Sequence, residues 1–342
     1  MSEMIKTAVL GLGKMGIFHS ALIKIIPQSE LVAVHDINPK LAKYVKNAGI
    51  DVTFYPSVDE LLDKSQLDAV LICTPPSSHL ELAEKSIERN LHVFAEKPLA
   101  ESLPSARKMV ELVSGTKLVH STGFTLAHIP LFKKAKSILE EGALGRIHRF
   151  FVTVYISQVF SKKKGWFFDK SKSGGGVIID IASHLLYLIT WYFGLPESVF
   201  ARTMSFHSEV EDSGTILMDF KSGLKGSLDA NWSVPGYRLS TINIQLEAEN
   251  GTAEITNDYI KLNLWNDFMD LKKGWTTLHR IDIGSQSQFD LGSEGFFDED
   301  NHFVQCCLNG TPSSVSWVDG MHVQTIIDAI YRSSEAGEPV LL

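Results

Sequence analysis

The first part of the chain alternates short apolar runs with amphipathic segments of helical period. Strands of a parallel sheet have this character because both of their faces are buried. The alternation therefore predicts a doubly wound parallel sheet, an α/β fold, over residues 1–122. The predicted strands are Thr7–Leu10, Leu31–His35, Ala69–Cys73, Val93–Glu96 and Lys117–Ser121, and the predicted helices are Ile17–Ile25, Val58–Leu62, Ser78–Arg89 and Pro104–Val113.

The pattern changes near Gly123, where apolar and polar residues begin to alternate with period two. The alternating runs follow a helix that starts at His128 and ends at Glu141, and short Gly-rich connections at 221–223 and 249–251 predict hairpins. Residues 123–342 are thus expected to form an α+β domain on a large, mainly antiparallel open sheet, with a C-terminal helix able to pack back on the first domain. The predicted strands are Arg149–Ile156, Val199–Ser205, Thr215–Phe220, Lys225–Trp232, Ser240–Glu247, Thr252–Thr256 and Ile260–Trp265.

Composition narrows the class of protein. The chain has 342 residues, 44% of them apolar, a net charge of −8 and a pI near 5.8, which argues against nucleic acid or an anionic membrane as a partner. We expect no membrane-spanning run, no signal peptide, and three reduced structural cysteines, hence a cytoplasmic protein. An apolar sheet face that its own helices leave uncovered would be buried in a homodimer or homotetramer.

A glycine-rich turn follows the first predicted strand. The run Gly11-Leu12-Gly13-Lys14-Met15-Gly16 lies between a strand and a helix, which is the context of a dinucleotide-binding turn. The first glycine makes the tight turn, the second lets a pyrophosphate approach the backbone, and the third lets helix pack on strand. The helix N-terminus then offers free N–H groups to the phosphates.

Asp36 ends the second predicted strand, about 20 residues after the turn, where a carboxylate can bind the adenosine ribose hydroxyls. It would repel a 2′-phosphate and so favours NAD over NADP. The alternative is a helix cap before Pro39. Lys40 and Lys43 could weaken the preference, but they also fit a solvated helix face.

Two further strand ends carry candidate cofactor ligands. Thr74, Pro75 and Pro76 close one strand, and Ser78 with Glu81 suggests a capping box whose first turn holds His79, facing either the cofactor or solvent. The next strand ends at Glu96-Lys97-Pro98. Strand carboxyl ends line the ligand crevice of such sheets, so Lys97 is placed to meet a small molecule, unless this is a surface Lys-Pro turn.

A second chemical stretch lies in the antiparallel part. Gly174-Gly175-Gly176 leads into an apolar helix, Val177–Phe193, that carries Asp180 and His184 about one turn apart and so on one face. Polar groups on an apolar helix need partners, so the pair is either functional or a structural intrahelical pair. A zinc site is not expected, because the HExxH spacing is absent.

A Lys-rich loop, Ser161–Phe168, precedes the glycines. Its lysines, Lys162, Lys163 and Lys164, could meet a phosphate or nucleotide-sugar group. Trp166 could stack on a sugar face. A solvated charge run beside a core aromatic is the plainer interpretation.

These motifs together resemble the glucose–fructose oxidoreductase/inositol dehydrogenase family, Gfo/Idh/MocA. The resemblance includes the glycine turn, Thr74-Pro75-Pro76 with His79, Glu96-Lys97-Pro98, the glycine run with Asp180 and His184, and the tail Ala329-Ile330-Tyr331-Arg332-Ser333-Ser334-Glu335-x-Gly337. It implies a nicotinamide dinucleotide in the first domain and a sugar, inositol or related polyol against the second.

By this resemblance Lys97, Asp180 and His184 occupy the positions of the catalytic lysine, aspartate and histidine. The chain departs from the family pattern at Ala182, where the family often has Gly, at Tyr187, where it often has Asp, and at His128, where many members have Arg. These departures concern the substrate. The candidate substrate contacts are Lys97, His128, Asp180 and His184, together with Trp166 of the Lys-rich loop.

The expected chemistry is hydride transfer between the nicotinamide and a secondary alcohol, with no metal required. His184 is the preferred general base and Lys97 the donor to the reacting oxygen, although these roles could be exchanged. Asp180 would orient His184 or hold a neighbouring hydroxyl. Two alternatives remain open at this point: an NAD-dependent glycosidase of the same fold, and an NAD-binding sensor that does not turn over.

Overall fold

The computed structural model describes residues 4–47, 49, 52–162, 164–284 and 295–342. The chain divides into two compact units. The first comprises Met1–Thr125 and Phe289–Met321, and the second comprises Leu126–Gln288 and His322–Leu342. The first unit therefore takes in a late segment of the chain in addition to the predicted residues 1–122.

The described part of the first unit contains a sheet of parallel strands in the order β3-β2-β1-β4-β5-β6. This is the strand order of a dinucleotide-binding α/β fold, whose ligand crevice lies at the carboxyl ends of the strands. The elements are β1 (Ile5–Leu10), α1 (Lys14–Ile25), β2 (Ser29–His35), α2 (Leu41–Asn47), β3 (Thr53–Tyr55), α3 (Val58–Lys64), β4 (Ala69–Ile72), α4 (His79–Ile87), β5 (His92–Glu96), α5 (Leu103–Leu112) and β6 (His120–Gly123).

Three local predictions in this unit are corrected. The short pair α2–β3 was not predicted. The last strand is His120–Gly123 rather than Lys117–Ser121, because small polar residues are buried there beneath Trp317. Ser78 makes no capping bond to the helix. Its hydroxyl lies 2.8 Å from both the Thr74 hydroxyl and the Pro75 carbonyl, so the predicted capping box is wrong.

The second unit contains a mixed sheet in the order β14-β13-β12-β11-β7-β10-β9-β8-β15, within the described residues. All of its pairings are antiparallel except β7 with β10. The elements before the last two helices are α6 (Pro130–Glu140), β7 (Ile147–Tyr155), α7 (Lys170–Ser173), α8 (Ser183–Phe193), β8 (Ser198–Met204), β9 (Ser213–Asp219), β10 (Lys225–Asn231), β11 (Thr241–Ala248), β12 (Gly251–Thr256), β13 (Tyr259–Leu264), β14 (Gly274–His279) and α9 (Arg280–Ile283). The chain ends with α10 (Phe296–Asn309), α11 (Trp317–Ala336) and β15 (Val340–Leu341).

The predicted hairpins are confirmed, since β9 pairs with β10 and β11 with β12, both antiparallel. Side chains alternate between buried and exposed along β9 and β11, as expected for a sheet with one covered face. The strands β14 and β15 were not predicted.

The predicted helix Val177–Phe193 is irregular at its start. Residues Ile178–Ala182 form a π-helical turn, and α8 follows it directly. Within the described residues, the stretch Lys170–Phe193 is long and apolar enough to cross a membrane, with a mean hydropathy of 1.4, contrary to the expectation that no run approaches that length. Since 61% of the apolar window is buried inside the protein, the stretch has the character of a core helix.

Candidate active site

The glycine turn has no room for a side chain at Gly11 or Gly16, but it has room for one at Gly13. Gly11 has φ +92°, and a Cβ there would lie 2.8 Å from the Cys73 carbonyl oxygen. A Cβ on Gly16 would lie 1.7 Å from the carbonyl oxygen of Gly11. A Cβ on Gly13 would meet no atom within 4 Å, so space is left there for a ligand. Lys14 is exposed and Met15 is half-buried beside that space.

The start of α1 suits a phosphate. Gly13 is the N-cap residue, and no side chain caps the helix. The first N–H groups of the helix are therefore available to an anion, and the helix dipole adds to the attraction. The turn and the helix together fit the pyrophosphate of a dinucleotide.

Asp36 holds the turn against the end of β2. Its Oδ2 accepts a hydrogen bond from the Leu12 N–H and its Oδ1 accepts one from the Asn38 N–H, each at 2.7 Å. The carboxylate is half-buried, and its remaining lone pairs can accept from ribose hydroxyls. The alternative role as a cap is partly met by the bond to Asn38, and the bond to Leu12 places the carboxylate beside the glycine turn.

We expect Asp36 to favour NAD over NADP by at least about tenfold in catalytic efficiency, roughly 1.4 kcal/mol. The reason is repulsion between its carboxylate and a 2′-phosphate. Asp36→Ser should narrow the ratio, which initial rates with the two cofactors would measure. Equal use of both cofactors by the unmutated protein would contradict the assignment.

His79 is fully buried and offers no exposed surface to a cofactor, in contrast to the predicted contact. Its ring nitrogens lie 3.1 Å from the Leu99 carbonyl and 2.9 Å from the Thr74 carbonyl. Burial lowers the pKa of His79, and the hydrogen bonds to these two carbonyl groups oppose that shift. The residue positions the loop of Thr74 and Pro75, both half-buried, while Pro76 is buried.

Strand β5 ends at Glu96, and Lys97 follows it directly. The Lys97–Pro98 peptide bond is cis. Lys97 is half-buried. Glu96 was predicted to bind the cofactor, but its carboxylate is buried and engaged within the protein. Its Oε2 accepts from the Lys97 N–H at 2.9 Å, and its Oε1 lies 2.9 Å from His19 Nε2. Glu96 therefore holds the backbone of Lys97 in place through this hydrogen bond.

In the second unit, the helical stretch that begins at Ile178 carries the other candidate residues. Asp180 and His184 are half-buried, whereas Ala182 and Ser183 between them are buried. Asp180 lies in the π-helical turn, and such turns are frequent at functional sites. The half-buried Asp180, Ile181 and His184 give this part of the stretch a partly exposed edge.

A buried carboxylate fixes the start of this stretch. Glu211 Oε1 accepts hydrogen bonds from the N–H groups of Gly176 (2.8 Å) and Ile178 (3.1 Å) and from the Tyr331 hydroxyl (2.8 Å). A Cβ on Gly175 would lie 1.9 Å from that hydroxyl, and one on Gly176 would lie 2.1 Å from the Glu211 carbonyl. The glycine run therefore makes room for Glu211 and Tyr331.

No sequence signal marks Glu211, because acidic residues are common just before a strand. Tyr331 belongs to the tail motif, but its partner could not be predicted. His19 and Asp300, described below, were likewise missed. Burial raises the pKa of Glu211.

The other predicted substrate residues differ in exposure. His128 is buried, which leaves it little surface for a substrate, and Trp166 is exposed. Phe167, next to Trp166, packs on the buried ring of Trp232 at 5.6 Å between centroids. Trp166 is thus an exposed side chain next to an aromatic residue that is held by packing. Lys162 and Lys164 are exposed, and Lys163 lies outside the described residues.

The candidate catalytic set is divided between the two units, with Lys97 in the first and both Asp180 and His184 in the second. A dinucleotide-binding unit followed by a unit with a half-exposed carboxylate–imidazole pair defines a dinucleotide-dependent oxidoreductase. The chain belongs to the GFO/IDH/MocA family. Residues 5–124 match its oxidoreductase model, an NAD-binding Rossmann fold, and residues 132–254 match its C-terminal domain.

Relatives and solved structures match this chain over almost its whole length. Myo-inositol 2-dehydrogenase of Thermotoga maritima is 28% identical over 98% of both chains. The NAD(+)-dependent scyllo-inositol 2-dehydrogenase of Bacillus subtilis is 25% identical over 100% of this chain and 97% of its own length. A solved structure of levoglucosan dehydrogenase with NADH and levoglucosan has a TM-score of 0.89 at 25% identity and covers 99% of both chains.

Proposed function

We propose that this oxidoreductase transfers a hydride between the nicotinamide of NAD and a secondary alcohol or ketone of a sugar, inositol or sugar derivative. The observation that carries the proposal is the half-exposed edge of the buried helical stretch, where Asp180 and His184 are the ionisable groups. An imidazole with a neighbouring carboxylate can remove a hydroxyl proton near neutral pH.

The chain's residues supply the following steps. The open backbone at Gly13, the N-terminus of α1 and Asp36 would hold the dinucleotide. Bound NAD supplies the hydride acceptor. His184 takes the proton of the substrate hydroxyl, and Lys97 donates a hydrogen bond to the same oxygen and stabilises the charge that develops on it. Asp180 orients His184 or binds a neighbouring hydroxyl.

A screen of sugars, inositols and nucleotide sugars, following NADH absorbance, tests the proposal. Net NADH formation with one of these classes is expected. Release of free sugar from a glycoside without net NADH would favour the glycosidase. No turnover with any compound, despite NAD binding in calorimetry, would favour a sensor.

Trp166→Ala should raise KM for a substrate that stacks on the indole and leave NAD affinity unchanged.

The sheet face of the second unit also supports assembly into a homodimer or homotetramer. Phe200 and Phe151 are half-buried and Leu217 is exposed, and all three line a shallow cavity of about 410 Å³ on the sheet. The cavity is also lined by charged residues of both signs, which can form ion pairs with the corresponding residues of a second copy: Arg149, Asp219 and Lys225.

We expect sedimentation to give a mass of two or four chains at micromolar concentration, because an exposed apolar sheet face is stabilised by covering it. Leu217→Lys should shift the protein toward a mass near 38 kDa. The exposed Ser114→Lys in the first unit, away from this sheet face, serves as a control for added charge. A mass near 38 kDa for the unmutated protein would contradict the proposal.

The cysteines support a cytoplasmic location as part of this proposal. Cys73, Cys306 and Cys307 are free thiols. Burial raises the pKa of Cys73 to about 12 and also raises that of Cys307, so both stay protonated and unreactive. Reduced, inert thiols are usual in a reducing compartment.

A further inference from the structure

A buried cluster of ionisable residues lies in the first unit, below the end of β5. His19 of α1 has no exposed surface, and neither has Asp300 of α10. Nδ1 of His19 lies 2.8 and 2.9 Å from the two carboxylate oxygens of Asp300. Nε2 of His19 lies 2.9 Å from Oε1 of Glu96. The imidazole therefore joins two carboxylates that are far apart in the sequence.

The geometry sets the charge of the cluster. Burial raises the pKa of Asp300, while His19 opposes that shift. With Glu96 and Asp300 both ionised, their oxygens only accept hydrogen bonds, so both ring nitrogens of His19 donate and the ring is an imidazolium. Burial by itself lowers the pKa of His19, but the charge of Asp300 and the bonds to Asp300 and Glu96 raise it well above its usual value. Burial opposes ionisation of Glu96 as well, yet His19 holds the pKa of Glu96 below its usual value.

The cluster is a hydrogen-bond network rather than a metal centre. Glu299 lies beside it, and ligand atoms of His19, Glu299 and Asp300 are within 4.8 Å of one another. A metal would need a free lone pair on a ring nitrogen, and both ring nitrogens already donate to carboxylates. Burial raises the pKa of Glu299 well above its usual value, which disfavours the ionised form that a metal ligand needs.

Stability does not account for the network. The desolvation of buried ion pairs often costs more than their attraction returns, and apolar residues of similar volume can replace them. Three charged groups kept at this cost indicate a task that apolar packing cannot perform. The remaining contacts of Glu96 point to that task.

Glu96 connects the network to Lys97. Its second oxygen, Oε2, accepts a hydrogen bond from the Lys97 N–H at 2.9 Å. Gly123 of β6 leaves room for this carboxylate, because a Cβ there would lie 3.0 Å from Oε2. Asp300, His19, Glu96 and the Lys97 backbone thus form one continuous chain of hydrogen bonds.

We propose that His19 and Glu96 are positioning residues for Lys97: the imidazolium fixes the Glu96 carboxylate, which fixes the backbone from which the Lys97 side chain projects. His19 also lies in α1, the helix whose N-terminus would meet the dinucleotide phosphates, so the network joins the cofactor helix to the lysine. This inference rests on the proposed role of Lys97 in hydride transfer.

Three substitutions separate positioning from stability. In Glu96→Gln the single amide oxygen cannot accept from both His19 and Lys97, so one bond is lost. His19→Gln removes the cation. In the matched control, Glu299→Gln, an amide replaces a neighbouring buried carboxyl group on the same helix that is outside this chain of hydrogen bonds, and the bonds of Glu96 remain. We expect kcat to fall by about 10- to 100-fold in the first two, since small misplacements of a reacting group have such effects.

The split of kinetic parameters distinguishes the two roles. The KM for NAD should change little, and the deuterium isotope effect on the reacting C–H bond should rise because chemistry becomes slower. Glu299→Gln should keep the unmutated kcat even if its melting temperature falls. Unmutated kcat values in Glu96→Gln and His19→Gln, measured well below their melting temperatures, would overturn the proposal.

A readout without turnover keeps the inference separate from the proposed function. In protein labelled with ¹⁵N-lysine, the Lys97 amide resonance is identified by its absence in Lys97→Met. It should shift upfield in Glu96→Gln and His19→Gln and stay in place in Glu299→Gln. An unshifted resonance in Glu96→Gln overturns the positioning role, whereas a shifted resonance without NADH formation from any substrate overturns only the proposed function. If His19→Gln does not fold, Glu96→Gln decides.

Discussion

Lys97→Met is expected to lower kcat by about 10²–10⁴, the usual contribution of a positioned acid–base or oxyanion-stabilising group. Methionine keeps most of the side-chain length but removes the donor and the charge. The affinity for NAD should change little, because the glycine turn and Asp36 belong to other loops. Stopped-flow measurement of NADH formation and calorimetry of NAD binding test both statements. The exposed Lys117→Met is the matched control and should behave as the unmutated protein.

His184→Ala should cause a loss comparable to that of Lys97→Met. The double substitution should be little worse than either single one, because residues that act as a unit are not additive. Folding should survive in both, since the side chains of Lys97 and His184 are only half-buried. Turnover by Lys97→Met at the unmutated rate would show that the Lys-Pro turn has no catalytic role.

The second large effect is expected at the glycine turn, where two substitutions of the same kind should fail differently. In Gly16→Ala the new Cβ would lie 1.7 Å from a backbone oxygen, so the turn must move. We expect a loss of at least ~1–3 kcal/mol in the free energy of unfolding, the usual cost of overpacking, together with weaker NAD binding.

Gly13→Ala is the contrasting substitution. Its Cβ would meet no protein atom within 4 Å, and the φ of −66° is open to alanine, so stability should be unchanged. The methyl group would occupy the space that the pyrophosphate needs, and NAD affinity should fall by at least about tenfold, or ~1.4 kcal/mol. Thermal unfolding and calorimetry measure the two effects separately. Unchanged NAD affinity in Gly13→Ala would place the dinucleotide elsewhere.

The two units were predictable because their signals are local. Buried parallel strands are apolar throughout and half-covered strands alternate, so β1, β4 and β11 follow from neighbouring residues. The glycine turn and Asp36 follow from fixed spacings, since a tight turn and a ribose contact impose requirements on particular positions. The Lys97, Asp180 and His184 assignment came from the same kind of spacing, combined with the resemblance to a family.

Tertiary structure decided which distant residues hold those local motifs in place. His19 meets Asp300 across 281 residues and Tyr331 meets Glu211 across 120, separations at which sequence spacing carries no information. The π-helical turn at Asp180 likewise follows from the anchoring of its start by Glu211. Burial also reversed the predicted exposure of His79, because loop carbonyls need a donor wherever water is excluded. The sequence alone thus determined which strands and turns form, and long-range packing determined which buried charges hold the candidate catalytic residues in place.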